Sequence, residues 1–318
     1  MKKVNMVFLG ECLIIIALLV LIGRLISTDE RYILGKEKAE EASQETEIRG
    51  ENTEGGQIQY AKDILQQERT VSYSAEAVSE NQLQTDSPKS DDGGIAVAVF
   101  GDSIWDDKRG ADGVSERLEQ MLGITVYNCS IGGTSAAVVS EPTDVREGWS
   151  SKSVNGLMYI ARKEESSELL EGLPAKEIID AVNFEEVDYL IISYGLNDYF
   201  SGVEIYPEDM YDMTTYVGAL RHAVAKMTET YPEMEVLLLA PSYTEFSTEL
   251  SEGSVEDYVA AAKEVSEEYG TAFLDIYHDL GINGENQNQY LYDGVHLSEE
   301  GRALYADFVA AKLTDMEK

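Results

Sequence analysis

Ser103 stands in Phe100-Gly101-Asp102-Ser103-Ile104, directly after the apolar run Ile95-Ala96-Val97-Ala98-Val99. Far along the chain, Asp293-Gly294-Val295-His296 precedes a last stretch of helical character. A serine hydroxyl is a weak nucleophile until an imidazole takes its proton and a carboxylate orients that imidazole. A serine at a strand exit, with an Asp and a His three residues apart, is therefore the smallest set that can run acyl transfer. At that spacing Asp293 and His296 can meet across a short turn. Their contact fixes the tautomer and leaves the second ring nitrogen as a base.

Two segments between them are suited to holding an oxyanion. In Asn128-Cys129-Ser130-Ile131-Gly132-Gly133-Thr134-Ser135, the paired glycines let the backbone approach a ligand and aim an N–H at it. In Tyr194-Gly195-Leu196-Asn197-Asp198, the Asn197 amide can donate to developing negative charge. Each piece alone has an ordinary reading. Ser103 can be a helix N-cap, the glycines a structural turn, and Asn197-Asp198 an Asx turn. Asp275-Ile276-Tyr277-His278 repeats the Asp–His spacing, but no helix is expected after it. Asp275 reads as a strand-end acid and His278 as a loop residue. His222, beside Arg221 in an expected helix, reads as a surface residue.

These residues need elements to position them. Continuous apolar runs predict strands at 95–100, 124–127, 187–193, 236–240 and 272–276, without the polar alternation of a half-exposed sheet. Helical stretches at 113–122, 174–182, 207–230, 255–269 and 298–313 alternate with them. Ser298-Glu299-Glu300 opens the last with an N-cap serine and early acids. Strands alternating with helices make βαβ units and a doubly wound α/β sheet, whose strand carboxyl ends are where ligands bind. The stretch 140–171 exceeds a simple connection and predicts an irregular insertion near the site. No internal repeat is present.

The 318-residue chain carries 60 Asp and Glu against 24 Lys and Arg, a formal charge of -36. That balance excludes a nucleic-acid footprint and disfavours docking on anionic lipid. Cys12 and Cys129 have neither a disulfide context nor a metal-ligand spacing, so no metal site and no cofactor are expected. Lys2 and Lys3 precede a mostly apolar run from Val7 to Ile26, close to the roughly 20 residues that span a bilayer. Residues 1–27 are thus expected to be a signal-anchor segment, oriented with its N-terminus inside. A cleaved signal peptide is the alternative. Both put the remainder outside the cytoplasm, with the membrane met through this segment only. Residues 28–94, rich in Glu, Gln, Ser, Asn and Gly, predict an acidic flexible linker, and 95–318 the folded domain.

The four segments, in this order and each after a strand, resemble the blocks of the SGNH/GDSL hydrolases, over Ile95 to about Lys312. The resemblance implies a three-layer α/β/α sandwich with a mainly parallel five-stranded sheet, the flavodoxin-like SGNH hydrolase fold. It implies Ser103 as nucleophile, Asp293 and His296 as its partners, and an oxyanion hole formed by Ser103, Gly133 and Asn197. Two positions depart from the family's habit, Leu196 and Ser130, and neither removes a catalytic group. The resulting expectation is a membrane-tethered serine esterase that hydrolyses an acyl, chiefly O-acetyl, ester of a small molecule, glycan or cell-envelope polymer. Lipase, lysophospholipase, thioesterase and O-acyltransferase activities use the same triad and stay open. The non-enzymatic alternative is an inactive surface-binding module on the same scaffold.

Overall fold

The computed structural model describes residues 94–139, 152–247 and 252–317. The anchor and linker expected over 1–27 and 28–94 therefore lie outside the described residues, Gly94 excepted. Among the described residues, no helix is long and apolar enough to cross a membrane.

Five strands form one parallel sheet: β1 Ala96–Gly101, β2 Thr125–Asn128, β3 Tyr189–Ser193, β4 Glu235–Leu239 and β5 Ala272–Leu274, in the order β2-β1-β3-β4-β5. Val97, Ala98, Val99 and Phe100 are fully buried, as are Leu190 and Ile191 in the neighbouring strand. Burial on both faces is why these strands are continuous apolar runs. Each expected strand is present, with its ends displaced by at most two residues.

The helices are α1 Ser103–Asp106, α2 Val114–Leu122, α3 Val154–Ala161, α4 Pro174–Ala181, α5 Leu196–Ser201, α6 Tyr216–Thr230, α7 Val255–Tyr269, α8 Ile276–Asp279, α9 Gln287–Tyr290 and α10 Glu299–Met316. The chain moves outward from β1 to β2, then crosses back to β3 and continues to β4 and β5. Right-handed crossovers therefore place helices on both faces of the sheet. Helix α2 packs with α10, while α3 packs with α6 and α6 with α7.

Four expectations are corrected. The 140–171 insertion is not irregular where it is described, since it holds α3, capped by Ser153 and buried through Val154, Leu157 and Met158. Helix α6 begins at Tyr216, not Pro207. The Asp212 carboxylate takes Thr214 N–H at 2.9 Å, and Thr215 Oγ1 caps Gly218 N–H at 3.2 Å. Residues 276–279 are one helical turn, because Asp275 Oδ1 caps His278 N–H at 3.0 Å. His222 is half-buried, with Nδ1 2.8 Å from Asn155 Oδ1 and its ring against Tyr159 and Tyr211. Cys129 is free and buried, and burial pushes its thiol up to about 12.

Candidate active site

Strand β1 delivers Ser103 to the carboxyl edge of the sheet, at the switch point where connections leave in opposite directions. The N-cap of α1 is Asp102, whose Oδ1 accepts from Ile104 N–H at 3.0 Å. A serine acting as cap would turn its hydroxyl onto its own backbone. With Asp102 in that role, the Ser103 hydroxyl is left to meet another group. It meets His296, whose Nε2 lies 3.0 Å from Ser103 Oγ across 193 residues of sequence.

His296 is held from several directions. Its Nδ1 is 2.7 Å from Asp293 Oδ2, and Asp293 Oδ1 accepts from His296 N–H at 2.7 Å and Val295 N–H at 3.0 Å. One carboxylate thus shapes the turn and orients the ring. Burial alone would raise the Asp293 carboxyl. The bond to the His296 ring and its charge, then the two backbone donors, outweigh that and hold it below the usual carboxylate range. The loop is closed by an antiparallel bridge between Leu291 and Leu297 and by Tyr292 N–H donating to His296 O at 3.0 Å. From the exit of β4, Thr244 Oγ1 and Glu245 N–H donate to Gly294 O at 2.9 and 3.0 Å. Arg302 of α10 donates to Leu297 O at 2.7 Å and to Asp112 O at 2.8 Å. The imidazole is fully buried, and Tyr292 stacks on it at 5.8 Å with its own residue 53% exposed.

The other two segments arrive from β2 and β3. Gly133 has φ 71, the left-handed region that a glycine enters without steric cost. Asn197, on α5, is buried at the β3 exit, and its Oδ1 has no hydrogen-bond partner. Asp198, read from sequence as part of an Asx turn, has a longer reach. It is fully buried, and its two oxygens accept from Ala136 and Ala137 N–H at 2.9 Å each. The β3 exit therefore holds the β2 exit in place. An acid beside Asn197 was the visible signal, but its partners are more than sixty positions away. Ser130 Oγ is buried and unpartnered, and a Cβ on Gly101 would lie 2.9 Å from it.

The structure thus brings Ser103, His296 and Asp293 into one hydrogen-bonded line and leaves His222 and His278 out of it. No group of three or more His, Cys, Asp or Glu that could hold a metal ion occurs among the described residues. A serine hydroxyl bonded to an imidazole that is oriented by a carboxylate is chemically equipped to attack an ester carbonyl.

Comparison with known proteins points the same way. No curated protein matches the chain. A crystal structure of a Lactobacillus plantarum protein superposes with a TM-score of 0.53 at 19% identity, covering 70% of this chain and 97% of that one. That likeness establishes the fold. A possible lipase from Chitinophaga pinensis gives a TM-score of 0.48 at 17% identity, covering 70% of this chain and 99% of its own. A carbohydrate acetylesterase from Sinorhizobium meliloti gives 0.43 at 17% identity, with the same coverage of each chain. The profile of the GDSL-like lipase/acylhydrolase family matches residues 99–304, which span β1 to α10 and enclose all four segments. The chain belongs to the GDSL-like lipase/acylhydrolase family and is an ester-hydrolysing enzyme.

Proposed function

We propose that the protein is a membrane-tethered, extracytoplasmic serine esterase that removes an acetyl or similarly short acyl group from a carbohydrate or other cell-envelope polymer. The observation that carries this reading is the line from Ser103 Oγ through His296 to Asp293, with contacts of 3.0 and 2.7 Å. His296 Nε2 takes the Ser103 proton as Oγ bonds to the ester carbonyl carbon. The oxyanion is held by Ser103 N–H, Gly133 N–H and the Asn197 side chain. Collapse breaks the bond to the alcohol, which leaves with the proton from His296. Water then gives a proton to the same nitrogen and attacks the acyl-enzyme, releasing the carboxylic acid and restoring Ser103. Asp293 orients the ring throughout and stabilises its charged form.

The tether rests on the apolar run within 1–27 and the polar linker 28–94. An envelope polymer suits that tether, and Tyr292 supports a sugar, since it offers an open aromatic surface beside His296. The test is hydrolysis of a p-nitrophenyl ester series from acetate to palmitate, and of acetylated glycans, by the full-length protein and by Ser103→Ala. Serine-dependent turnover confined to short esters is the expected result. Preference for long chains would favour the lipase reading, and acyl transfer to an added alcohol in place of water would favour an acyltransferase. Absence of turnover from folded protein would favour the binding module.

A further inference from the structure

We propose that Asp106 and Arg109 are positioning residues for the oxyanion hole, locking the Gly132–Gly133 turn to the helix that carries Ser103. This rests on the reading of Ser103 as nucleophile and Gly133 as an oxyanion donor. The loop that leaves β2 belongs to no strand or helix, so its N–H and C=O groups need partners from elsewhere. Asp106 is the last residue of α1, three positions beyond Ser103. Its Oδ2 accepts from Gly132 N–H at 2.7 Å, and its Oδ1 accepts from Arg109 Nε at 2.7 Å. Arg109 extends across the loop and donates from its two terminal nitrogens to Asn128 O and Ser130 O, both at 2.9 Å. Asn128 answers from the loop side, donating to Trp105 O at 2.8 Å and accepting from Ser130 N–H at 3.1 Å.

One ion pair therefore captures the last carbonyl of β2 and a carbonyl and an amide of the loop beyond it, and it is rooted on the turn that presents the nucleophile. Both side chains are mostly shielded from water, which strengthens their charge-assisted bonds. The planar guanidinium fork reaches two carbonyls and a carboxylate at once, a geometry lysine does not supply. Ser103 and the Gly132–Gly133 turn are thereby held as a rigid unit. A hydrogen bond to an oxyanion stabilises the transition state only when its donor is placed to within a fraction of an ångström. The ion pair itself touches no substrate.

The test uses the full-length protein and p-nitrophenyl acetate, comparing wild type, Ser103→Ala, Asp106→Ala and Asp106→Asn, with circular dichroism as the measure of folding. Asp106→Ala frees the turn, and kcat is expected to fall roughly 100-fold while KM stays nearly constant, the effect of a displaced transition-state contact. Asp106→Asn keeps one oxygen for Gly132 N–H but loses the charge and the second acceptor that holds Arg109, so it restores part of that loss. Where Asp106→Ala fails to fold, Asp106→Asn and Arg109→Lys decide, each with a reduced kcat at constant KM. A wild-type kcat in folded Asp106→Ala, or in both conservative variants, overturns the proposal, as does a loss carried by KM alone. Loss of activity in Ser103→Ala beside full activity in Asp106→Ala overturns the positioning role and spares the nucleophile. Undiminished activity in Ser103→Ala overturns the nucleophile and the positioning role together.

Discussion

The chain builds the same Asp–His turn twice, and only one of the two meets a serine. At 293–296 and at 275–278, a carboxylate accepts from the backbone N–H three residues on and also binds the imidazole Nδ1 of that residue. The acids are almost equally shielded, with side chains 20% and 24% exposed. The imidazoles differ completely, at 1% for His296 and 51% for His278. His296 Nε2 meets Ser103 Oγ, whereas the His278 ring rests edge-on against Tyr277 at 5.0 Å. Local spacing is thus sufficient to orient an imidazole. A proton acceptor for serine needs the rest of the fold, which brings a loop beyond β5 over the end of β1.

The largest test of that contrast is removal of each ring. His296→Ala should lower kcat on p-nitrophenyl acetate by on the order of a millionfold, close to the loss from Ser103→Ala, because such groups act as a unit. His278→Ala should leave the rate unchanged, and a substantial loss there would erase the distinction. Next come the acids. Asp293→Asn should cost on the order of 10,000-fold in kcat by releasing the tautomer. Asp275→Ala should keep activity and lose about 1 kcal/mol of stability with the cap on α8, read from the denaturation midpoint.

The residue that follows each acid sharpens the comparison further. Ile276 continues a helical turn, while Gly294 has φ 85, and a Cβ there would run into the flexible Glu245 side chain. Glu245 can move aside, so the strain lies in the backbone. Gly294→Ala should lower stability by about 1–2 kcal/mol and reduce kcat by disturbing Asp293 and His296. The smallest expected effect is in acid stability. Because the folded Asp293 carboxyl is depressed, its contribution is complete above the unfolded carboxylate range, near 4. It is lost as pH falls through the folded value. Stability measured across that range should therefore fall less steeply in Asp293→Asn than in wild type.

The sheet and the four segments were legible because their signals are local. Apolar runs announce buried strands, and Ser103, Gly133, Asn197 and Asp293–His296 each follow one. Helix α3 was legible in principle, with Ser153 as a cap and Val154, Leu157 and Met158 on one face, but its place inside a long connection obscured it. Other features carry no local signal. Asp106 and Arg109 drew no reading from the sequence and Asp198 only that of an Asx turn, yet all three satisfy backbone groups at the exit of β2 and in the loop beyond it. Those bonds cross 19 to 62 positions, and no periodicity encodes them. His222 was misread for the same reason, since Asn155 reaches it from 67 positions away.

The 193 residues between Ser103 and His296 also set when activity can arise. During synthesis, the serine and its whole strand leave the ribosome long before the histidine exists. The hydroxyl therefore stays unactivated until the loop after β5 closes over the sheet. Under the proposed mechanism, a chain stalled or clipped anywhere ahead of His296 is chemically silent toward esters. Turnover is thus a stringent reporter of complete synthesis and folding.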